Sequence, residues 1–142
     1  MKYLLDTDHL SVFQRRTGQA YLNLAARMAS CPASDFAVSI VTFHEQLLGT
    51  HAYINRARRT EDVARGYKMM AQALRDFIAL SIVDFDSRAA QIFDQLNTQK
   101  LQVATMDTRI AAIALSQDLI LLTRNQQDFG KVPSLKMQDW TI

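Results

Sequence analysis

One cysteine, two prolines, four glycines and one tryptophan are all that 142 residues contain of these types, and each scarcity removes a class of protein. The lone Cys31 permits no intramolecular disulfide and no thiolate metal knuckle, and reads as a small, half-buried side chain. Four scattered glycines leave no Gly-rich loop to cradle a phosphate. No apolar run approaches the length a membrane span needs. The opening Met1-Lys2-Tyr3-Leu4-Leu5 is interrupted by Asp6 before it can form a signal peptide's apolar core. The expected setting is therefore cytoplasmic and soluble, without a membrane partner. A strong charge of one sign is missing too: the formal net charge is +2, which permits a nucleic-acid partner without demanding one.

What is present is globular. Hydrophobic residues make up 49% and charged residues 21% of the chain, enough apolar surface for a real core. No linker, low-complexity stretch or internal repeat divides it, so residues 1–142 read as a single α/β domain. Tyr3-Leu4-Leu5 is a buried, central strand by its apolar run. A short helix from Asp8 to Phe13 follows, with Thr7 or Asp8 as N-cap. Gly18 breaks it, and apolar residues at helical spacing from Gln19 to Ser30 predict a second helix. Pro32 and Ser34 mark a loop.

Phe36–Val41 is rich in β-branched residues and predicts a second strand. Thr42 caps the next helix in this reading, with Glu45 three residues on in a capping box; Gly49 marks a kink or a close approach. From about Tyr53 to Ile78 the pattern predicts two long helices or a helical hairpin. Its apolar stripe is Val63, Tyr67, Met70, Leu74, Phe77 and Ile78, and it is locally basic through Arg56, Arg58, Arg59, Arg65, Lys68 and Arg75. Leu80–Phe85 predicts a third strand, Asp86 or Ser87 a helix start, and Met106-Asp107 the opening of another helix. Leu119–Leu122 predicts a fourth strand. A turn at Asp128-Phe129-Gly130 and a last strand at Leu135–Met137 close the chain. Strands alternating with helices imply a parallel sheet with crossover connections.

The acids fall at telling places. Asp6 ends the first strand, Glu45 lies in the first turn after the second, Asp107 opens the helix before the fourth, and Asn125 and Asp128 lie just beyond the fourth. In an open parallel sheet ligands bind outside the carboxyl ends of the strands, which makes Asp6 one wall of a crevice. Carboxylates converging there repel each other unless a cation neutralises them. Oxygen donors favour Mg²⁺ or Mn²⁺ over zinc, and such sites hydrolyse phosphate esters. The structural alternative is helix capping, which suits Asp6, Asp8, Asp107, Asp128 and Glu45 taken one by one. It does not account for an acid at the end of a buried strand, matched at other elements along one edge. His44-Glu45 begins like a zinc-protease helix, but Leu48 stands where the second histidine belongs.

The ordered set of segments Tyr3–Asp8, Ser39–Leu47, Met106–Ala114 and Leu121–Phe129 resembles the PIN-domain ribonucleases, in particular the VapC-type toxins of bacterial toxin–antitoxin pairs. The resemblance covers nearly the whole chain. It implies a three-layer sandwich, a mostly parallel central sheet flanked by helices, and an acidic pocket for Mg²⁺ or Mn²⁺ made by Asp6, Glu45 and Asp107. Asp6 and Asp107 would be direct ligands, and Glu45 would complete the shell or orient a water. Thr7 and Thr123 would be polar neighbours. Many relatives carry a fourth acid where this chain has Asn125, which keeps an oxygen donor and loses the charge; Asp128 either supplies that charge through the turn or caps it. The implied activity is metal-dependent endonucleolytic cleavage of RNA by activated water. The implied assembly is a homodimer, or a hetero-oligomer with an antitoxin whose C-terminal segment blocks the pocket.

Two other readings compete. Leu4–Asp8 also resembles the opening of haloacid-dehalogenase phosphatases, with Asp6 as nucleophile and Asp8 as acid/base, although Leu10 and Thr108 depart from that pattern. A catalytically decayed binding module is the third. In the ribonuclease reading Asp8 falls back to capping the first helix.

Overall fold

The computed structural model describes residues 1–142. In chain order the elements are β1 (Tyr3–Leu5), α1 (Thr7–Arg15), α2 (Gln19–Ala29), β2 (Phe36–Ser39), α3 (Ile40–Arg56), α4 (Thr60–Ile78), β3 (Ser81–Val83), α5 (Ser87–Thr98), α6 (Thr105–Ser116), β4 (Ile120–Leu122), α7 (Gln126–Phe129) and β5 (Met137–Gln138). The strands form one sheet of order β3-β2-β1-β4-β5, and every pairing is parallel. All carboxyl ends therefore share one edge. β1 pairs with β2 on one side and β4 on the other, so the strand order reverses direction at β1. The crevice of an open α/β sheet opens at such a switch point, here between the ends of β1 and β4.

Alternation along β1 builds the layers. Leu4 packs with Ala37, Val83, Leu121 and the buried faces of α5 and α6. Tyr3 and Leu5 point the other way, into a cluster with Leu10, Leu24, Phe77 and Trp140 from α1, α2, α4 and the C-terminal segment. Ile110 to Ala114 of α6 are completely buried; the small side chains among them let the helix approach its neighbours closely all round. Each fully buried Leu or Ile contributes about 1.5–3 kcal/mol.

Several expected boundaries move, each for a local reason. The second strand stops at Ser39, whose side chain accepts the Thr42 N–H at 3.0 Å and starts α3 at Ile40. A serine cap thus overrides the β-preference of Ile40 and Val41. The Thr42–Glu45 capping box is not formed, and Glu45 stands in the second turn. Neither Thr7 nor Asp8 caps α1: the N-cap position is Asp6, whose side chain makes no capping bond. Gly49 lies inside an unbroken α3 with open space beside it. The close approach is at Gly66, where a Cβ would run into Ile54 and lie 3.1 Å from Tyr53 Cδ1. Along α4 the apolar stripe divides, with Phe77 in the core and Tyr67, Leu74 and Ile78 exposed. Asp86 caps α5 as expected, accepting the Ala89 N–H at 2.9 Å.

Candidate active site

Asp6 occupies the first position past β1, at the switch point, and is only 5% exposed. Its backbone N–H donates to Leu122 O of β4 at 2.9 Å, and its Oδ2 accepts the Thr123 hydroxyl at 2.8 Å. Burial, reinforced by the charges of Asp8 and Asp107, pushes its carboxyl up to about 7, against the opposing pull of the Thr123 hydroxyl and the Thr7 N–H. Asp107, in the first turn of α6, is also raised: by burial first, then by Glu45, Asp128 and Asp8. Those mutual repulsions mean that the acids sense one another across the crevice, although they come from four different segments of the chain.

Glu45 reaches the site from α3. Thr7 at the start of α1 donates its hydroxyl to Glu45 Oε1 at 3.0 Å, with Thr42 Oγ1 3.5 Å away. Thr7 thus orients the carboxylate rather than capping a helix. Thr123, completely buried, links three groups: Asp6, Asp8 Oδ2 at 3.2 Å, and the Asn125 N–H it accepts at 3.0 Å. Asn125 is committed as the cap of α7, its Oδ1 3.5 Å from the Asp128 N–H it accepts and its Nδ2 donating to Asp128 Oδ2 at 3.2 Å. The negative charge that Asn125 lacks comes from Asp128, which acts on Asp107 after Glu45 and also pairs with Lys131 at 3.4 Å.

Asp8 departs most from expectation. Its Oδ2 accepts the Arg124 N–H at 3.0 Å, with Oδ1 at 3.2 Å, and His9 Nδ1 lies 2.7 Å from Oδ1. It ties the end of β4 to the start of α1 instead of capping a helix. Both oxygens are engaged at this junction. No local pattern marks the Arg124 N–H as a member of this network, 116 positions from Asp8, and although His9 adjoins Asp8 in sequence, its burial under Trp140 depends on a contact 131 positions away. Of the zinc-protease resemblance, His44 is exposed on α3.

The donor set fits a hard divalent cation in chemistry. It is all oxygen and rich in carboxylates, and two of its acids are driven toward protonation by burial and by each other, a tension that positive charge would relieve. No three His, Cys, Asp or Glu side chains already stand as a cation cage. Glu45 is turned to Thr7, and Asp8 to the β4 end.

No protein-family model matches the chain. It is 29% identical to ribonuclease VapC2 of Haemophilus influenzae over 99% of its own length and 98% of that relative's. It is 32% identical to the tRNA(fMet)-specific endonuclease VapC of Salmonella typhimurium over 43% of its length, and this match spans only about half, 49%, of that relative. Among solved structures, DNA-bound VapBC from Salmonella typhimurium superposes with a TM-score of 0.79 at 21% identity, covering 99% of this chain and 98% of that one. VapBC2 from Rickettsia felis, bound to a promoter DNA fragment, gives a TM-score of 0.74 at 21% identity and 99% coverage of both chains. End to end, this chain is therefore similar in sequence to a VapC ribonuclease and has the fold of the VapBC chains it superposes on.

Proposed function

We propose that this protein is a Mg²⁺- or Mn²⁺-dependent endoribonuclease, the toxin of a toxin–antitoxin pair, hydrolysing RNA phosphodiester bonds at the β1/β4 crevice. The observation that carries this reading is Asp6: a buried carboxylate at the end of the central strand, held up to about 7 by burial and by Asp8 and Asp107. A structural cap has no need of such company. The names of the VapC ribonucleases it aligns with support RNA as the substrate.

Asp6 and Asp107 would hold the cation, with Glu45 completing the site. When bound, the cation supplies Lewis-acid chemistry, drawing charge from phosphoryl oxygens and making water a better nucleophile at neutral pH. The chain's own groups do the rest. Thr7 fixes Glu45 through Oε1 and leaves Oε2 to accept a proton from the attacking water. Thr123 holds Asp6 in place. The exposed Arg124 stands at the rim beside Asp8, where its guanidinium can meet a phosphate. At the turn between α3 and α4, Arg56, Arg58 and Arg59 line a recess with Tyr53, a surface suited to RNA backbone or to an acidic antitoxin segment.

The VapBC structures it superposes on support an antitoxin as partner. A homodimer fits the exposed apolar residues Leu47, Leu48, Tyr67, Leu74 and Ile78 of α3 and α4. The test of the enzymatic reading is cleavage of RNA by wild type and by Asp6→Asn with Mg²⁺, with Mn²⁺ and with EDTA, mapping new 5′ ends by sequencing. Metal-dependent cleavage confined to wild type is expected. Equal cleavage by Asp6→Asn, or cleavage untouched by EDTA, overturns it.

A further inference from the structure

His9 is completely buried, and its two ring nitrogens face different parts of the chain. Nε2 accepts the backbone N–H of Trp140 at 3.0 Å. A backbone N–H can only donate, so Nε2 carries the lone pair and the ring proton of the neutral imidazole sits on Nδ1. That proton points at Asp8 Oδ1, 2.7 Å away. Asp139 Oδ1 also approaches Nε2, at 3.5 Å, but it is already satisfied by the Thr141 N–H at 2.8 Å and the Thr141 hydroxyl at 2.6 Å.

We propose that His9 is a positioning residue of the acidic site: its Nδ1–H fixes the Asp8 carboxylate so that it receives the Arg124 N–H and leaves the Thr123 hydroxyl to Asp6. The Thr123 hydroxyl has one proton and two carboxylates within reach, Asp6 at 2.8 Å and Asp8 at 3.2 Å. Which one it serves depends on how Asp8 is turned. The Asp8 side chain is 29% exposed, so water competes for its oxygens; the buried imidazole holds the carboxylate from the protein side. The same ring ties the site to the C-terminal segment, because the Trp140 indole is wedged against Tyr3 and Phe36 beneath the sheet, with ring centroids 4.6 and 5.8 Å apart. Thr123 is the group that orients the ligand carboxylate Asp6; outer groups of that kind typically govern metal affinity or activity by about 10- to 100-fold, and His9 acts on it through Asp8.

The competing account is that His9 merely satisfies the Trp140 N–H inside the core. Two substitutions separate the accounts, since the amide of asparagine reaches the position of Nδ1 and that of glutamine reaches the position of Nε2. His9→Asn keeps a donor for Asp8 and gives up Trp140. His9→Gln keeps an acceptor for Trp140 and gives up Asp8. Both lose one buried hydrogen bond and are expected to lower the melting temperature to a similar degree. The inference rests on the metal-dependent reading, and Mn²⁺ titration by calorimetry is read with that in mind. His9→Asn should bind Mn²⁺ within a factor of about three of wild type, and His9→Gln about 10-fold or more weakly, with RNA cleavage falling in parallel. Equal affinities, or affinities that follow the melting temperatures, overturn the proposal.

Should wild type bind no Mn²⁺, the functional reading fails and the His9 claim is judged on the metal-free protein. There the Thr123 and Arg124 amide resonances should move in His9→Gln and stay in His9→Asn; the reverse pattern, or no difference, overturns it. A measurement on wild type needs no variant to fold: long-range ¹H–¹⁵N spectra should show the Nδ1–H tautomer of His9, and the Nε2–H tautomer overturns the proposal.

Discussion

Thr123 Oγ1 and Asp6 Oδ2 stand 2.8 Å apart across the junction of β1 and β4, joining residues separated by 117 positions. The hydroxyl is completely buried and also accepts the Asn125 N–H at 3.0 Å. Thr123→Val keeps the shape and removes both bonds. Leaving a buried donor and a buried carboxylate unsatisfied costs about 1–3 kcal/mol. Urea unfolding at pH 8 should show a loss of that order, and a variant as stable as wild type would mean the bond holds nothing together.

Asp6→Asn keeps the oxygen that Thr123 needs and deletes the charge that burial penalises. RNA cleavage and Mn²⁺ binding should be lost, by about 100-fold or more if Asp6 is a direct ligand. The metal-free fold should be retained. Circular dichroism and calorimetry check the two halves, and weakened folding at pH 8 would show that Asp6 is structural instead.

The sign of the pH dependence follows from the raised carboxyl. Folded Asp6 keeps its proton up to about 7, whereas an unfolded aspartate releases it near 4. The stabilising contribution is therefore full below about pH 4 and is lost as pH rises through about 7. Each tenfold change in proton affinity is worth about 1.4 kcal/mol, so the loss is on the order of 4 kcal/mol. Asp107, raised as well, works in the same direction. Metal-free wild type should lose stability relative to Asp6→Asn between pH 5 and pH 8, and Mg²⁺ should restore it at pH 8. Parallel pH profiles for the two proteins would contradict a raised Asp6.

Asn125→Asp restores a charge beside Asp128 while keeping a side chain that can cap α7. The amide bond to Asp128 Oδ2 at 3.2 Å is exchanged for repulsion. Metal-free stability near neutral pH should fall, and Mn²⁺ affinity should rise several-fold. Calorimetric titration beside wild type measures this; an unchanged affinity would leave Asn125 as a cap and nothing more.

Gly66→Ala tests the α3–α4 hairpin independently of the site. Its Cβ would collide with Ile54 and press on Tyr53, and overpacking of this kind costs about 1–3 kcal/mol. A lower melting temperature with unchanged Mn²⁺ affinity is expected. Unaltered stability would show that Ile54 swings aside freely.

The apolar runs Tyr3-Leu4-Leu5 and Ile120–Leu122, with helical spacing between them, already specify a parallel α/β domain, because burial imposes those periods on the chain itself. The placement of Asp6 at a strand end and of Asp107 at a helix start is readable in the sequence, since a parallel sheet brings strand ends to one edge, whereas Glu45 lies a turn further into α3 than its spacing from Thr42 suggests. Helix starts are less legible, as at Ser39, where one side-chain bond to Thr42 outweighs the β-preference of Ile40. The roles of Asp8, His9 and Thr123 are decided only in three dimensions. Asp8 looks like a helix cap in sequence because it opens the short helical segment that runs to Phe13. It becomes the brace of β4 because Arg124 and Thr123 arrive from the far end of the chain. A hydrogen bond between residues more than a hundred positions apart leaves no period or spacing to read; only the packing of β1 against β4, with Trp140 folded back over His9, brings donor and acceptor within reach.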